Sequence, residues 1–243
     1  MPQDSGQQGI RSWIRLPGML CTRQIFTALD PYLNLGGMDV DTPIHGETLE
    51  EAADSLLALA RGQDGPVGII GLSLGAIVAM AAAIKDPTVF DAAVLISTTP
   101  RAPRPEQIRA WKAMVRRTAN GKFLDMAGEL APAMFAPARA TAPLLGSARA
   151  MAKNIGHHAF ADQLGIQLSR RDLRPDLPRI GARTLVLAGS EDQLCSRDMH
   201  QDIAAGIPNT ELQVLTGSGH LLTLEDPASA ANAINLWNLR RTP

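Results

Sequence analysis

The sequence predicts an α/β fold, with about six parallel strands, helices on both faces of the sheet and a helical insertion. Three observations lead there. Short β-forming runs alternate with helix-forming stretches in both the first hundred and the last sixty-five residues. Near residue 70 an apolar run passes through a Gly-x-Ser-x-Gly turn straight into an alanine-rich stretch, the order strand, sharp turn, helix. Between residues 100 and 178 the alternation stops, and eight prolines separate helical stretches with no convincing strand.

Residues 1–9 are polar and glycine-rich and are expected to be a disordered lead-in. A first strand follows over 10–16, where apolar and polar residues alternate, and it ends in the turn Pro17-Gly18-Met19-Leu20. A helix is expected over 22–29, closed by Pro31, and a short strand near 38–40. Thr48-Leu49-Glu50-Glu51 has the form of a capping box and opens a helix to about residue 60, with apolar residues at helical spacing. Gly62, Gly65 and Pro66 break the chain before the central strand. After the alanine-rich helix comes a strand over 92–96. Helical stretches are then expected over 106–118, 122–130 and 148–169. Strands over 183–188 and 211–215 flank a helix over 197–205, and Asp226-Pro227 supplies an N-cap and a first-turn proline for a last helix to about 239.

The bulk numbers narrow the function classes. A net charge of -1 gives no global attraction to nucleic acid or anionic lipid, so neither partner is expected. No segment reaches the ~20 apolar residues of a membrane span, and no export signal is visible at the amino terminus. Cys21 and Cys195 are too few for a disulfide framework and read as reduced thiols, which makes the cytoplasm the expected compartment. Histidines, cysteines and carboxylates show no metal-ligand spacing, so neither a metal nor another cofactor is expected.

In Gly71-Leu72-Ser73-Leu74-Gly75 the glycines remove side chains that would collide where strand meets helix, and Ser73 is lifted above the sheet at a helix start. Unpaired amides and the helix dipole favour negative charge there. The glycines also resemble a loosened dinucleotide fingerprint, which requires an acid at the end of the next strand. That strand ends in Ser97-Thr98-Thr99-Pro100, without an acid. A serine nucleophile needs a base and an orienting acid, and in a parallel sheet these come from loops at the carboxyl ends of strands. Gly189-Ser190-Glu191-Asp192 and Thr216-Gly217-Ser218-Gly219-His220 are such loops. They make His220 the candidate base and Asp192 the candidate orienter, with Glu191 competing by adjacency.

These stretches resemble the α/β-hydrolase superfamily over most of the chain. Gly71 to Gly75 resembles its nucleophile elbow, Gly189 to Asp192 its acid loop, and Gly217-Ser218-Gly219-His220-Leu221-Leu222-Thr223-Leu224-Glu225-Asp226-Pro227 its histidine loop. The resemblance selects Asp192 over Glu191. Leu16-Pro17-Gly18-Met19 resembles the oxyanion loop, with Pro17 where histidine is more usual, and implies the backbone N–H groups of Met19 and Leu74 as oxyanion donors. It implies a core of residues 10–99 and 179–243 and a cap over 100–178. The first strand starts near residue 10, so the two additional amino-terminal strands of larger members are not expected, and the first two strands are swapped in spatial order beside the central one.

The activity expected is cleavage of a small-molecule carboxylic ester or lactone through Ser73, His220 and Asp192. Thioesterase, amidase, carbon–carbon bond hydrolase and cofactor-free haloperoxidase activities use the same groups, and a non-catalytic ligand-binding protein is the rival from another class. His45, His157 and His158 read as surface residues, Cys195 as packing and Glu225 as a structural partner. Cys21 is placed either at the pocket or in the core. Arg170, Arg171 and Arg174 form a solvated face or attract an acidic substrate.

Overall fold

The computed structural model describes residues 9–240, so the lead-in expected over 1–9 lies outside it except for Gly9. The strands are β1 (Ser12–Leu16), β2 (Met38–Asp41), β3 (Val67–Leu72), β4 (Ala92–Ile96), β5 (Arg183–Gly189) and β6 (Thr210–Leu215). All pairings are parallel, in the order β2-β1-β3-β4-β5-β6. Strand order changes direction between β1 and β3, and ligands of open α/β sheets bind at the carboxyl ends of strands beside such a switch.

Apolar side chains leave both faces of this sheet. Trp13, Ile70, Leu72, Val94, Leu185 and Leu187 enter one core, and Ile14, Leu16, Ile69, Ala93, Leu95 and Val186 enter the other. Strands buried on both faces read as continuous apolar runs, as β3 and β4 do. All five residues of β1 are buried, the polar Ser12 and Arg15 included.

Helix α1 (Gln24–Thr27) is shorter than the expected 22–29, having no side-chain cap at Arg23. Thr48 caps α2 (Leu49–Arg61) by accepting the Glu51 N–H, while the Glu51 carboxylate reaches back to the Glu47 N–H. Helix α3 (Leu74–Lys85) follows Ser73 directly.

Residues 105–179 are helical with no strand. They comprise α4 (Pro105–Ala119), α5 (Phe123–Leu130), α6 (Ala142–Leu168) and three short 3-10 turns. Helix α6 starts earlier than the expected 148, since proline is tolerated in a first turn, and Gly156 breaks it with φ 77° and ψ 169°. Trp111, Phe123, Met151 and Phe160 of this segment join the first of the two cores. The chain closes with α7 (Arg197–Gly206), α8 (Leu222–Glu225) and α9 (Pro227–Leu239), the last capped by Asp226.

Arg15 is the buried charge of β1. Its guanidinium contacts Asp30 at 2.6 Å, Asp41 at 2.8 Å and Asp39 at 3.4 Å, tying β2 and the turn after α1 to the sheet. Removing the cation leaves three carboxylates facing one another, two of them partly open to water. Arg15→Met is therefore expected to lower the unfolding free energy by about 2 kcal/mol, less than for a fully buried pair. Urea unfolding measures this, and an unchanged midpoint contradicts the role assigned to Arg15.

Candidate active site

The turn from β3 into α3 sets the site. Ser73 has φ 52° and ψ -112°, in the region that favours glycine, and its neighbours hold it there. Its N–H donates to the Ile96 carbonyl at 2.8 Å, and its carbonyl accepts from the Thr98 hydroxyl at 2.9 Å and the Ile77 N–H at 3.1 Å. A Cβ at Gly75 would stand 2.2 Å from the Leu16 carbonyl oxygen, and one at Gly71 would stand 2.7 Å from the Ala76 Cα. Glycine alone lets β1, β3 and α3 approach this closely. Among the described residues the non-glycine positions with positive φ are Leu20, Ser73 and Ser97, which follow β1, β3 and β4.

His220 Nε2 lies 2.9 Å from Ser73 Oγ, and His220 Nδ1 lies 2.9 and 3.1 Å from the two Asp192 oxygens. A carboxylate beside Nδ1 fixes the proton on that nitrogen and leaves Nε2 as the acceptor facing serine. Asp192 also accepts the N–H groups of Leu194 and Cys195 through Oδ1. Burial opposes its charge, but His220 and the two amides outweigh burial and hold the Asp192 pKa below the usual carboxylate value. Burial likewise opposes a protonated His220, and Asp192 overcomes it, so His220 lies above the ordinary histidine range.

The histidine loop is anchored from below. Glu225 Oε2 accepts the N–H of Gly219 at 2.9 Å and of Ala136 at 3.1 Å, joining the loop to the helical segment. Glu191, by contrast, is exposed.

On the other side of Ser73, Gly18 packs against the serine, and a Cβ there would lie 3.3 Å from Ser73 Cβ. Among the described residues neither the Met19 nor the Leu74 amide has a hydrogen-bond partner. The next amide, that of Leu20, donates to Gln163 Oε1 of α6 at 2.9 Å.

Ser73 and His220 open into a cavity of about 260 Å³, roofed by Trp111, Met114, Leu130 and Met134 of the helical segment. Cys21 and Cys195 also line it. Burial pushes the Cys21 thiol up to about 12, so it stays protonated. Cys195 is more than packing, because the turn around Asp192 folds it back beside His220. Asp192, Cys195 and His220 then present ligand-type atoms within 4.8 Å of one another, a grouping invisible in their sequence spacing. His45, His157 and His158 are exposed and none of them lines the cavity.

Sequence reasoning missed His200. Fully buried on α7, it accepts the Thr98 N–H on Nε2 at 3.1 Å while Nδ1 faces the Ser196 carbonyl at 3.0 Å. Burial holds it below the usual histidine pKa, and it acts as a neutral brace for the residue that bonds the Ser73 carbonyl. Gln163 was missed as well. No local pattern marks either residue, since each is defined by a loop more than a hundred positions away.

Known proteins share this fold. The model of the family described as "Alpha/beta hydrolase family" matches residues 6–233. The chain is similar to a segment of polyketide synthase ThaQ from Burkholderia thailandensis, at 29% identity over 207 residues, 79% of this chain. It spans 9% of that relative's length. Among solved structures, a thermophilic esterase from Thermogutta terrifontis is 24% identical with a TM-score of 0.81, covering 96% of this chain and 91% of the other. The enol-lactonase from Burkholderia xenovorans LB400 is 19% identical with a TM-score of 0.82, covering 96% and 94%. Among the described residues no helix is long and apolar enough to cross a membrane. With six parallel strands, the strand-turn-helix at Ser73 and a family match over most of its length, the chain belongs to the alpha/beta hydrolase family.

Proposed function

We propose that the protein is a serine hydrolase that cleaves a small carboxylic ester or lactone through Ser73, His220 and Asp192. The observation that carries this reading is the continuous path from Asp192 through His220 to Ser73 Oγ, with every step between 2.9 and 3.1 Å, opening into the cavity. Ser73 Oγ attacks the carbonyl carbon while His220 Nε2 takes its proton, and Asp192 stabilises the imidazolium. Charge on the former carbonyl oxygen is held by the unpartnered Met19 and Leu74 amides, the second of them at the start of α3. The intermediate collapses as His220 returns the proton to the leaving alcohol, leaving an acyl group on Ser73. Water, deprotonated by His220, then releases the acid and restores the serine.

Residues 100–178 act in this reading as a cap that shapes the pocket, and the cytoplasm is the expected compartment. A second reading is cleavage of a thioester by the same groups.

Turnover of matched nitrophenyl esters, lactones and thioesters separates the two readings. Ser73→Ala is expected to lower kcat/KM on the best of them by about 10³ to 10⁶-fold, and near-normal turnover would contradict the mechanism. The pH profile tests the roles of His220 and Asp192. Only the neutral ring accepts the serine proton, so activity rises with pH through the His220 pKa, which Asp192 holds above its ordinary value. Asp192→Asn removes that carboxylate. Its residual activity should be about 10⁴-fold lower, with the acid limb shifted to lower pH. A limb that stays in place would sink the assignment of Asp192.

A further inference from the structure

Among the described residues of the helical segment, Arg170 is a buried cation that the fold leaves without an anion. Arg170 is 9% exposed and lines the same cavity as Ser73 and His220. Its Nη1 donates to Gln167 Oε1 and its Nη2 to the Arg101 carbonyl, both at 2.6 Å, and its guanidinium carbon lies 5.7 Å from the centre of the Trp111 ring. Each of these partners is neutral.

The neighbouring arginines differ. Arg101 pairs with Asp198 and Asp202, Arg171 with Asp176, and Arg174 with Asp172. Arg171 and Arg174 are exposed, as a solvated face requires, whereas Arg170 points inward. Among the described residues the cavity is lined by three arginines, Arg101, Arg104 and Arg170, and by no aspartate or glutamate. Burial lowers the Arg170 pKa to about 10, so the group keeps its charge at neutral pH.

A buried guanidinium without a counter-charge is costly, and proteins pair such groups or leave them for a ligand. Two of its five N–H donors are used here. The planar fork suits a carboxylate, and low dielectric around Trp111 strengthens the pair.

Taking the hydrolase reading as its premise, we propose that the substrate carries a free carboxylate that pairs with Arg170 while its ester or lactone carbonyl sits at Ser73. Arg170 is then a specificity-determining residue that selects acidic acyl groups. It touches the remote end of the substrate and takes no part in proton transfer.

The test compares nitrophenyl hemisuccinate, hemiglutarate and hemiadipate with neutral isosteres in which an isopropyl group replaces the carboxylate. Wild type should favour at least one hemiester, and Arg170→Met should lower the acid-to-neutral ratio of kcat/KM by about 30-fold or more. Arg171→Met, exposed and outside the cavity, should leave the ratio unchanged. Arg170→Lys keeps the charge without the fork and should fall between wild type and Arg170→Met. Should Arg170→Met fail to fold, competition in wild type decides, since succinate, glutarate or adipate should inhibit neutral-ester hydrolysis where the corresponding diamides do not. Calorimetric binding of the same dicarboxylates to Ser73→Ala supplies a readout independent of turnover. Arg170-dependent binding without turnover of any ester would uphold the anion site and remove the hydrolase reading. Ester turnover with no acid preference and no dicarboxylate binding would overturn the inference.

Discussion

The geometry of this site depends on a close approach of backbone to backbone at the turn between β3 and α3. Leu16, Pro17, Gly71 and Gly75 meet at distances that exclude a Cβ, and Ser73 takes a positive φ at the centre of that contact. Such strain persists only when the surroundings over-determine it. Here they do so through bonds from Ile96, Thr98 and Ile77 to the serine backbone, with buried His200 bracing Thr98 in turn. The two cores on either side of the sheet supply the rigidity against which this local cost is held.

The fold treats two buried charges differently. The Asp192 charge is satisfied internally by His220 and two amides, so the pair is preorganised before any ligand arrives. The Arg170 charge, in the lining of the cavity, is desolvated, held by neutral acceptors, and not neutralised. Under the proposed reading, a substrate that reaches both Arg170 and Ser73 is oriented by the first while it reacts at the second, which is how remote binding energy serves positioning.

The fold was legible in the sequence because parallel strands buried on both faces leave unbroken apolar runs, and because Thr48, Asp226 and the Gly-x-Ser-x-Gly turn mark element boundaries by local chemistry. That Ser73, Asp192 and His220 could meet was legible too, since a parallel sheet gathers its carboxyl-end loops along one edge. What was not legible depends on distant partners. The burial of Arg15 in β1 was hidden because the three aspartates that surround it come from two other segments. The break at Gly156 was hidden because glycine is compatible with either a continuous or an interrupted helix. Arg170 looked like its neighbours Arg171 and Arg174, and only the fold separates the buried cation from the two paired at the surface.

The central claim is that His220 and Asp192 make Ser73 an activated nucleophile. Its most direct test is labelling of the purified protein with a fluorophosphonate, followed by intact mass and peptide mapping, with His220→Ala alongside. The account predicts one adduct per chain, on Ser73, that is lost or greatly slowed in His220→Ala. Absence of an adduct on Ser73, under conditions where a known serine esterase labels fully, would contradict it and leave a hydrolase fold used for binding.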